Sequence, residues 1–200
     1  MVIKGLKKTA GDFKLSVDEL YIEPGKIHGL VGHNGAGKSI LLKLIMGIME
    51  ADEGTIDYEG LDMRDVTLMP QTPYLLHASV YENIVFPLKL RGITPDEKEI
   101  DRLLERAGLL HCKSQYALSL SSGERQKLSF LRATVFKPKL ILMDETLSNL
   151  DPESEEAIIE MIKNTQAEHK STWIIVSHQL ESKKGLCDEI HHMSKGVMLD

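Results

Sequence analysis

The sequence predicts an α/β fold in which a mainly parallel sheet carries an inserted block of helices. Two near-continuous apolar runs, at residues 140–143 and 172–176, are typical of parallel strands covered on both faces, and residues 27–31 are expected to form a buried strand. Between roughly residues 72 and 132 the pattern becomes helical instead. The chain has 200 residues, of which 42% are hydrophobic, so it is long enough for one such domain with a sizeable core.

The first part of the chain is expected to consist mainly of strands. Residues 13–17 alternate apolar and polar side chains, which predicts a half-buried strand. The Pro-Gly pair at 24–25 predicts a turn into the strand at 27–31. Two further short strands are predicted at 54–60 and 66–69, each closed by turn residues.

Capping residues mark the start of two predicted helices. Thr94 is predicted to cap a helix with Pro95 at its first position and Glu97 in a capping box. Gly108 is expected to end that helix. Asp151 is predicted to cap a later helix that also begins with proline.

Charge and cysteine content argue against several classes of protein. The formal net charge is −6 and no basic tract occurs, so we expect no binding to nucleic acid. Cys112 and Cys187 are far apart without the spacing of a metal site, and we expect isolated reduced thiols. No apolar run resembles a signal peptide or is long enough to cross a bilayer, which favours a cytoplasmic location.

An eight-residue loop after the strand at 27–31 fits the phosphate-binding pattern G-x-x-x-x-G-K-[ST]. Its glycines allow several N–H groups to point at one anion, and the helix predicted to follow adds its positive end. We expect Lys38 to reach the β- and γ-phosphates and Ser39 to bind Mg²⁺. The residues predicted to bind the nucleotide here are Gly32, His33, Asn34, Gly35, Ala36, Gly37, Lys38, Ser39 and Ile40.

Two carboxylates follow the buried strand at 140–143. In open α/β sheets, ligands bind at the carboxyl ends of the strands. Asp144 is suited to the coordination shell of Mg²⁺, and Glu145 to orienting and deprotonating an attacking water. Together with the phosphate-binding loop, this pair predicts hydrolysis of a nucleoside triphosphate.

Residues 120–124, Leu-Ser-Ser-Gly-Glu, resemble the LSGGQ signature of ATP-binding cassette (ABC) ATPases. Three further motifs of that family occur in the family's order: a Q-loop glutamine, a D-loop at 148–151 and a switch histidine. The resemblance therefore covers essentially the whole chain. The residues that carry these matches are Gln71, Leu120, Ser121, Ser122, Gly123, Glu124, Ser148, Asn149, Leu150, Asp151 and His178.

The resemblance implies a P-loop NTPase (RecA-like) core with an N-terminal antiparallel β subdomain and an inserted α-helical subdomain. Residues 1–200 would form a single ABC ATPase domain. Its catalytic core would comprise about 1–71 and 133–200, and its helical subdomain about 72–132.

The resemblance also implies ATP as substrate, Mg²⁺ as cofactor and a second ABC ATPase domain as partner. The signature would complete the ATP site of that second domain, in a homodimer or a heterodimer bound head-to-tail. The residues implied in catalysis are Glu145, His178, Lys38 and Gln71. The residues implied to hold Mg²⁺ are Ser39, Gln71 and Asp144.

Several positions depart from the family pattern. Ser122 and Glu124 replace a glycine and a glutamine of the signature, and Ser122 would be strained if its φ were positive. Thr146 stands where the family often has proline or alanine, which is a minor departure. Ala10 stands where an aromatic residue is expected to stack on adenine, which predicts weak discrimination between ATP and GTP. Phe13 is the other candidate for nucleotide contact, although the strand alternation favours core packing for it.

The segment after the Q-loop glutamine is where the family meets its membrane permease. Tyr74, Leu75 and Leu76 indicate either a groove for a partner helix or packing within the subdomain, and the sequence leaves both open. Residues 80–84 and 87–92 are similar to ATPase subunits of importers, including those for tungstate, molybdate or phosphate.

The resulting prediction is an ATPase peripheral to the inner face of the cell membrane. It would drive import of a small solute through a separate integral membrane permease, to which a solute-binding protein delivers the solute. The alternatives are a soluble ABC ATPase of repair, chromosome or ribosome function, and a nucleotide-sensing module that does not turn over.

Overall fold

The computed structural model describes residues 1–148, 150–178, 180, 183 and 185–199. Within them it contains a nine-stranded sheet and five α-helices. The elements in chain order are β1 (Val2–Ala10), β2 (Phe13–Tyr21), β3 (Ile27–Val31), α1 (Lys38–Ile45), β4 (Glu53–Asp57), β5 (Val66–Met69), α2 (Val80–Leu90), α3 (Glu97–Arg106), α4 (Ser122–Thr134), β6 (Leu140–Asp144), α5 (Pro152–His169), β7 (Thr172–Val176), β8 (Glu189–Ser194) and β9 (Val197–Met198).

The strand order is β4-β1-β2-β9-β8-β3-β7-β6-β5. Strands β8, β3, β7, β6 and β5 run parallel to one another, whereas β1 is antiparallel to both β4 and β2. The short β9 joins the two halves, since it pairs with β8 on one side and β2 on the other. The predicted α/β fold with a parallel sheet is confirmed.

The apolar runs that predicted parallel strands form the centre of the sheet. All five residues of β3 are buried, and so are the first four of β6. Because β3 lies between β7 and β8, the loop that follows it emerges from the middle of the sheet. That position matches the strand ends at which α/β sheets bind ligands.

The helices follow the predicted caps with one correction. The N-cap of α3 is Asp96, whose side chain accepts hydrogen bonds from the N–H groups of Lys98 and Glu99, so the prediction of Thr94 was wrong. The carboxylate of Asp96, two residues after Thr94, reaches these donors. Pro95 therefore lies before the helix and not at its first position. Gly108 follows the end of α3 with φ +72°, as expected. Asp151 caps α5, as expected, and accepts from the N–H of Ser154.

Helices α2, α3 and α4 enclose an apolar cluster of their own, which includes Ile84, Leu88, Leu104 and Leu128. We propose on this basis that residues of about 72–132 form a subdomain beside the sheet. None of the helices in the described part of the chain is long and apolar enough to cross a membrane.

Candidate functional site

The phosphate-binding loop curls between β3 and α1, and two of its glycines have no room for a side chain. A Cβ on Gly32 would lie 2.1 Å from the carbonyl oxygen of Met193. Gly37 caps α1 with φ +105°, and a Cβ there would lie 2.9 Å from Cζ of Phe13. Both positions therefore require glycine, as the pattern predicts.

The turn between β8 and β9 supports the loop from behind. The N–H of Gly196 donates to the carbonyl of Ala36 at 2.9 Å, and the N–H of Ala36 donates to the carbonyl of His33 at 3.0 Å. No pattern in the sequence marks this support, because Gly196 and Met193 are distant from the loop in the chain and belong to no local motif.

Lys38 is folded back over the loop. Its Nζ donates to the carbonyl of Gly32 at 2.6 Å and to that of His33 at 3.2 Å, and the residue is only 5% exposed. The same nitrogen lies 3.7 Å from Oε1 of Glu145. The structure thus brings the predicted phosphate-binding lysine and the predicted base together.

Ser39 and Asp144 are joined by a hydrogen bond of 2.8 Å from the serine Oγ to the carboxylate Oδ1. One residue comes from the start of α1 and the other from the end of β6. A hydroxyl and a carboxylate at this separation are the hard oxygen donors that Mg²⁺ prefers. The side chains present therefore fit the predicted ion.

Glu145 stands in a strained backbone conformation with φ +49°. Its Oε2 accepts from Oγ of Ser148 at 2.6 Å and lies 3.2 Å from Nδ1 of His178. Its Oε1 is buried and has no hydrogen-bond partner within the described residues. One carboxylate oxygen is thus held in place while the other remains able to accept a proton.

These side chains line a cleft of about 610 Å³. Its walls also include Gln71, which is exposed, and Phe13. The signature residues 120–124 do not line it. Within one chain, the structure gathers the loop, Gln71, Glu145 and His178 around one space and leaves the signature outside it.

The signature forms the start of α4. Ser121 is the N-cap, and Glu124 closes a capping box by accepting from the N–H of Ser121 at 2.9 Å. These hydrogen bonds hold the pKa of Glu124 below its ordinary value. Ser122 is the first residue of the helix and has no positive φ, so the strain considered for it does not arise. Leu120 is buried.

The signature also packs against the start of α5, which follows the D-loop. A Cβ on Gly123 would lie 2.3 Å from Oγ of Ser154, in the first turn of α5. Asp151 caps that helix, and the hydrogen bond from the N–H of Ser154 lowers its pKa. Leu150 is half-buried, whereas Asn149 lies outside the described residues.

The profile of the ABC transporter family matches residues 15–148. The chain belongs to this family. Its ATP-binding subunits are ATPases, and the present chain is therefore an ATP-binding, ATP-hydrolysing member.

Curated relatives of this ABC ATPase are subunits of uptake systems. The tungstate uptake system ATP-binding protein TupC of Peptoclostridium acidaminophilum is 38% identical over 98% of this chain and 95% of its own length. The methionine import ATP-binding protein MetN of Clostridium acetobutylicum is 33% identical over 98% of this chain, which spans only 66% of that protein.

Solved structures of ABC ATPases have the same fold. CbiO1 of Clostridium perfringens, part of the transporter complex cbiONQ, superposes with a TM-score of 0.83 at 26% identity, covering 100% of this chain and 86% of that one. The ADP conformation of an ATP-binding cassette of another ABC transporter superposes with a TM-score of 0.84 at 25% identity, covering 100% and 89%.

Phe13 has two environments in this ABC ATPase. It pairs with Ala10 across the β1–β2 turn, and it packs against the main apolar cluster, as the strand alternation predicted. Its ring also contacts Gly37 and lines the cleft. The preference for core packing alone was therefore incomplete.

The segment after Gln71 divides between surface and core. Tyr74 is 71% exposed, whereas Leu75 is buried within the helical cluster and Leu76 is half-buried. Leu75 therefore packs within the subdomain, whereas the groove for a partner helix stays a prediction. Other exposed apolar side chains of the helical region are Phe86, Leu90, Ile93, Leu110 and Tyr116.

Proposed function

We propose that this ABC ATPase pairs head-to-tail with a second ABC ATPase domain on binding ATP, and thereby drives import of a small solute through a separate membrane permease. The observation that carries the proposal is the composition of the cleft. It contains the loop, Glu145 and His178, but none of the signature residues 120–124. A second copy supplying its signature would complete the site.

The loop would hold the triphosphate. Its N–H groups and the start of α1 favour anions, and Lys38 would exchange its two carbonyl partners for phosphate oxygens. Ser39, Gln71 and Asp144 would hold Mg²⁺, which supplies charge neutralisation to the β- and γ-phosphates.

Glu145 would act as the general base in hydrolysis of ATP to ADP and phosphate. Ser148 and His178 hold Oε2, so Oε1 is the oxygen available to take a proton from water. Oε1 of Glu145 lies 3.7 Å from Nζ of Lys38, so the proton would be transferred close to the γ-phosphate. His178, which is half-exposed at the mouth of the cleft, would contact the same phosphate.

The partner's signature would close the site from the other side. Helix α4 has 13 residues, and its first N–H groups lie beside the hydroxyl of Ser121. Free N–H groups and a positive helix end favour the γ-phosphate of a nucleotide held by another copy. Asp151, which packs beside the signature, would link the two sites.

The permease would dock on the helical region. Tyr74 and Leu90 are 71% and 68% exposed, which is unusual for side chains of their size. The similarity to a tungstate uptake protein over nearly the full length of both chains favours import of an oxyanion of that class. In such a complex the ATPase would lie at the cytoplasmic face of the membrane.

The catalytic assignment is tested with Glu145→Gln. The amide cannot accept the proton, so hydrolysis should fall at least about a hundredfold while ATP binding is preserved and an ATP-bound dimer accumulates. Size-exclusion chromatography with ATP and a phosphate-release assay measure both effects. Glu153→Gln, on the exposed first turn of α5, is the matched control. Hydrolysis by Glu145→Gln at the rate of the unaltered protein would overturn the assignment.

The shared site is tested by mixing two inactive variants, Lys38→Ala and Ser121→Arg. In a head-to-tail dimer of one copy of each, one site combines both defects and the other combines an intact loop with an intact signature. The mixture should therefore recover about a quarter of the unaltered activity. If each chain used its own signature, or if no homodimer formed, mixing would recover nothing.

The docking proposal is tested with Tyr74→Glu and Leu90→Glu. Either charge should abolish co-purification of an integral membrane protein from detergent extracts while leaving basal ATP hydrolysis intact. Tyr21→Glu, at an exposed position of β2, is the control. If no membrane protein accompanies even the unaltered chain, the alternative of a soluble ABC ATPase is favoured.

A further inference from the structure

A cluster of metal-binding side chain types lies where β3 pairs with β8, outside the ATP cleft. The parallel register places His28 opposite Glu189 and Leu30 opposite His191. Because side chains alternate along a strand, His28 shares one face of the sheet with Glu189 and His191. One ligand atom from each of the three lies within 4.8 Å of the others.

His28 is fully buried, and its hydrogen bonds orient the ring. Its Nε2 lies 3.0 Å from the backbone carbonyl of Glu23. A carbonyl can only accept, so Nε2 carries the hydrogen and, in the neutral ring, Nδ1 presents a lone pair to the cluster. Histidine ligands of metals are commonly oriented by donating the other ring N–H to a backbone carbonyl in this way.

Two separations among the ligand atoms are close to those in a metal site. His28 Nδ1 lies 3.1 Å from His191 Nε2 and 3.4 Å from Glu189 Oε2. Bonds of about 2.0–2.2 Å at tetrahedral angles place neighbouring ligand atoms roughly 3.3–3.6 Å apart. The two imidazole planes are within 16° of parallel, with centroids 5.4 Å apart, and Nε2 of His191 donates a hydrogen bond to Nδ1 of His28. An ion bound here would replace this hydrogen bond, with His191 carrying its hydrogen on Nδ1 instead.

One carboxylate oxygen of Glu189 faces the histidines. Lys26 donates to Oε1 at 2.9 Å, and Oε2 is the oxygen beside His28. The ammonium of Lys26 opposes a second cation nearby, but it is also paired with Glu23 at 2.6 Å. The surroundings of the cluster are therefore close to neutral.

We propose that His28, Glu189 and His191 bind a divalent transition metal ion of the Zn²⁺ class, with water completing its coordination. Two imidazoles and one carboxylate suit Zn²⁺, Ni²⁺ or Co²⁺ better than Mg²⁺ or Ca²⁺. The ion would tie the start of β3 to β8. It would therefore stabilise the strand that precedes the phosphate-binding loop without touching nucleotide.

The test is a titration of the untagged, nucleotide-free full-length protein with Co²⁺, whose visible absorption reports coordination. We expect one Co²⁺ per chain, with affinity at least about tenfold lower in His191→Ala and in Glu189→Gln. His111→Ala is the matched control, because His111, Cys112 and Glu124 form the other such cluster in the described part of the chain.

A second measurement is the melting temperature with and without Zn²⁺. At a hundredfold excess over the dissociation constant, Zn²⁺ should raise the melting temperature of the unaltered protein by roughly 5–10 °C. Circular dichroism verifies that each variant is folded. If His191→Ala does not fold, Glu189→Gln takes its place as the variant of the proposed site. The proposal is overturned if the unaltered chain binds no Co²⁺ below 1 mM, if binding survives in the folded variants, or if only His111→Ala abolishes it.

Discussion

Ser148 donates a hydrogen bond of 2.6 Å from its Oγ to Oε2 of Glu145. Glu145 has a left-handed backbone conformation, which persists only where the surroundings hold the residue in place. Ser148 and His178 are the two described residues that hold its Oε2. The D-loop serine therefore acts within its own chain as a positioning residue for the proposed base.

Replacing that serine should slow hydrolysis without weakening ATP binding. A hydrogen bond to a charged group contributes about 1.5–3 kcal/mol, so Ser148→Ala should lower kcat about tenfold or more. The KM for ATP should change less than about twofold, since the hydroxyl is not aimed at the loop. Steady-state ATPase kinetics measure both. Ser119→Ala is the control, because it loses only a hydrogen bond to the backbone carbonyl of Tyr116. Equal kcat values for Ser148→Ala and Ser119→Ala would contradict a positioning role for Ser148.

Removing the ring of Phe13, which faces the cleft, should weaken the binding of all purine nucleotides to the same extent. A phenyl ring stacks on any base, and stacking contributes about 1–3 kcal/mol. Phe13→Ala should therefore lower the affinities for ATP and for GTP by roughly tenfold each, whereas Phe13→Tyr should retain both affinities. Fluorescent nucleotide titrations give the two dissociation constants. The prediction is contradicted if the protein strongly prefers ATP over GTP and this preference disappears in Phe13→Ala, since stacking on a phenyl ring does not distinguish the two bases.

Adding a methyl group at Gly123 should destabilise the contact between the signature and the first turn of α5. The new Cβ would lie 2.3 Å from Oγ of Ser154, and overpacking of this kind costs about 1–3 kcal/mol. The melting temperature of Gly123→Ala should fall by roughly 3–8 °C. The double variant with Ser154→Ala removes the closest atom and should regain most of that loss. Ser122→Ala, the adjacent exposed position, should change little, and a loss that persists in the double variant would mean a different cause.

The thiol of Cys187 should be almost inert in the folded protein. Burial raises its pKa to about 11, so the thiolate that reacts is scarce at neutral pH. In Cys112→Ala, which leaves Cys187 as the single thiol, alkylation at pH 8 should be about a hundredfold slower than in the unfolded chain. Rates in buffer and in guanidinium are compared by mass spectrometry. Equal rates would show that the thiol is exposed.

The sequence predicted those features that depend on neighbouring residues. The strands at 27–31, 66–69 and 172–176 carry their own apolar patterns, and Asp151 caps its helix where expected. Asp96 shows the limit of such rules, since Thr94 satisfied the same pattern. The Asp96 carboxylate accepts from the first N–H groups of α3, and the helix therefore begins two residues later than the pattern indicated.

Contacts between distant parts of the chain could not be predicted. Alternation along β2 indicated that Phe13 faces the core, but not that Gly37 would pass over its ring. Nothing local marks Met193 as the residue that excludes a side chain at Gly32. Likewise, the two histidines of the β3–β8 cluster come together only through strand pairing.

The hydrogen bond from Gly196 to Ala36 has a consequence for how the loop takes its shape. The loop and the turn behind it are far apart in the sequence, so the wall forms only when distant segments pair. A fragment that stops before β8 would carry the whole glycine-rich motif without the wall that shapes it. The shape of this loop is thus a property of the paired sheet and not of eight consecutive residues.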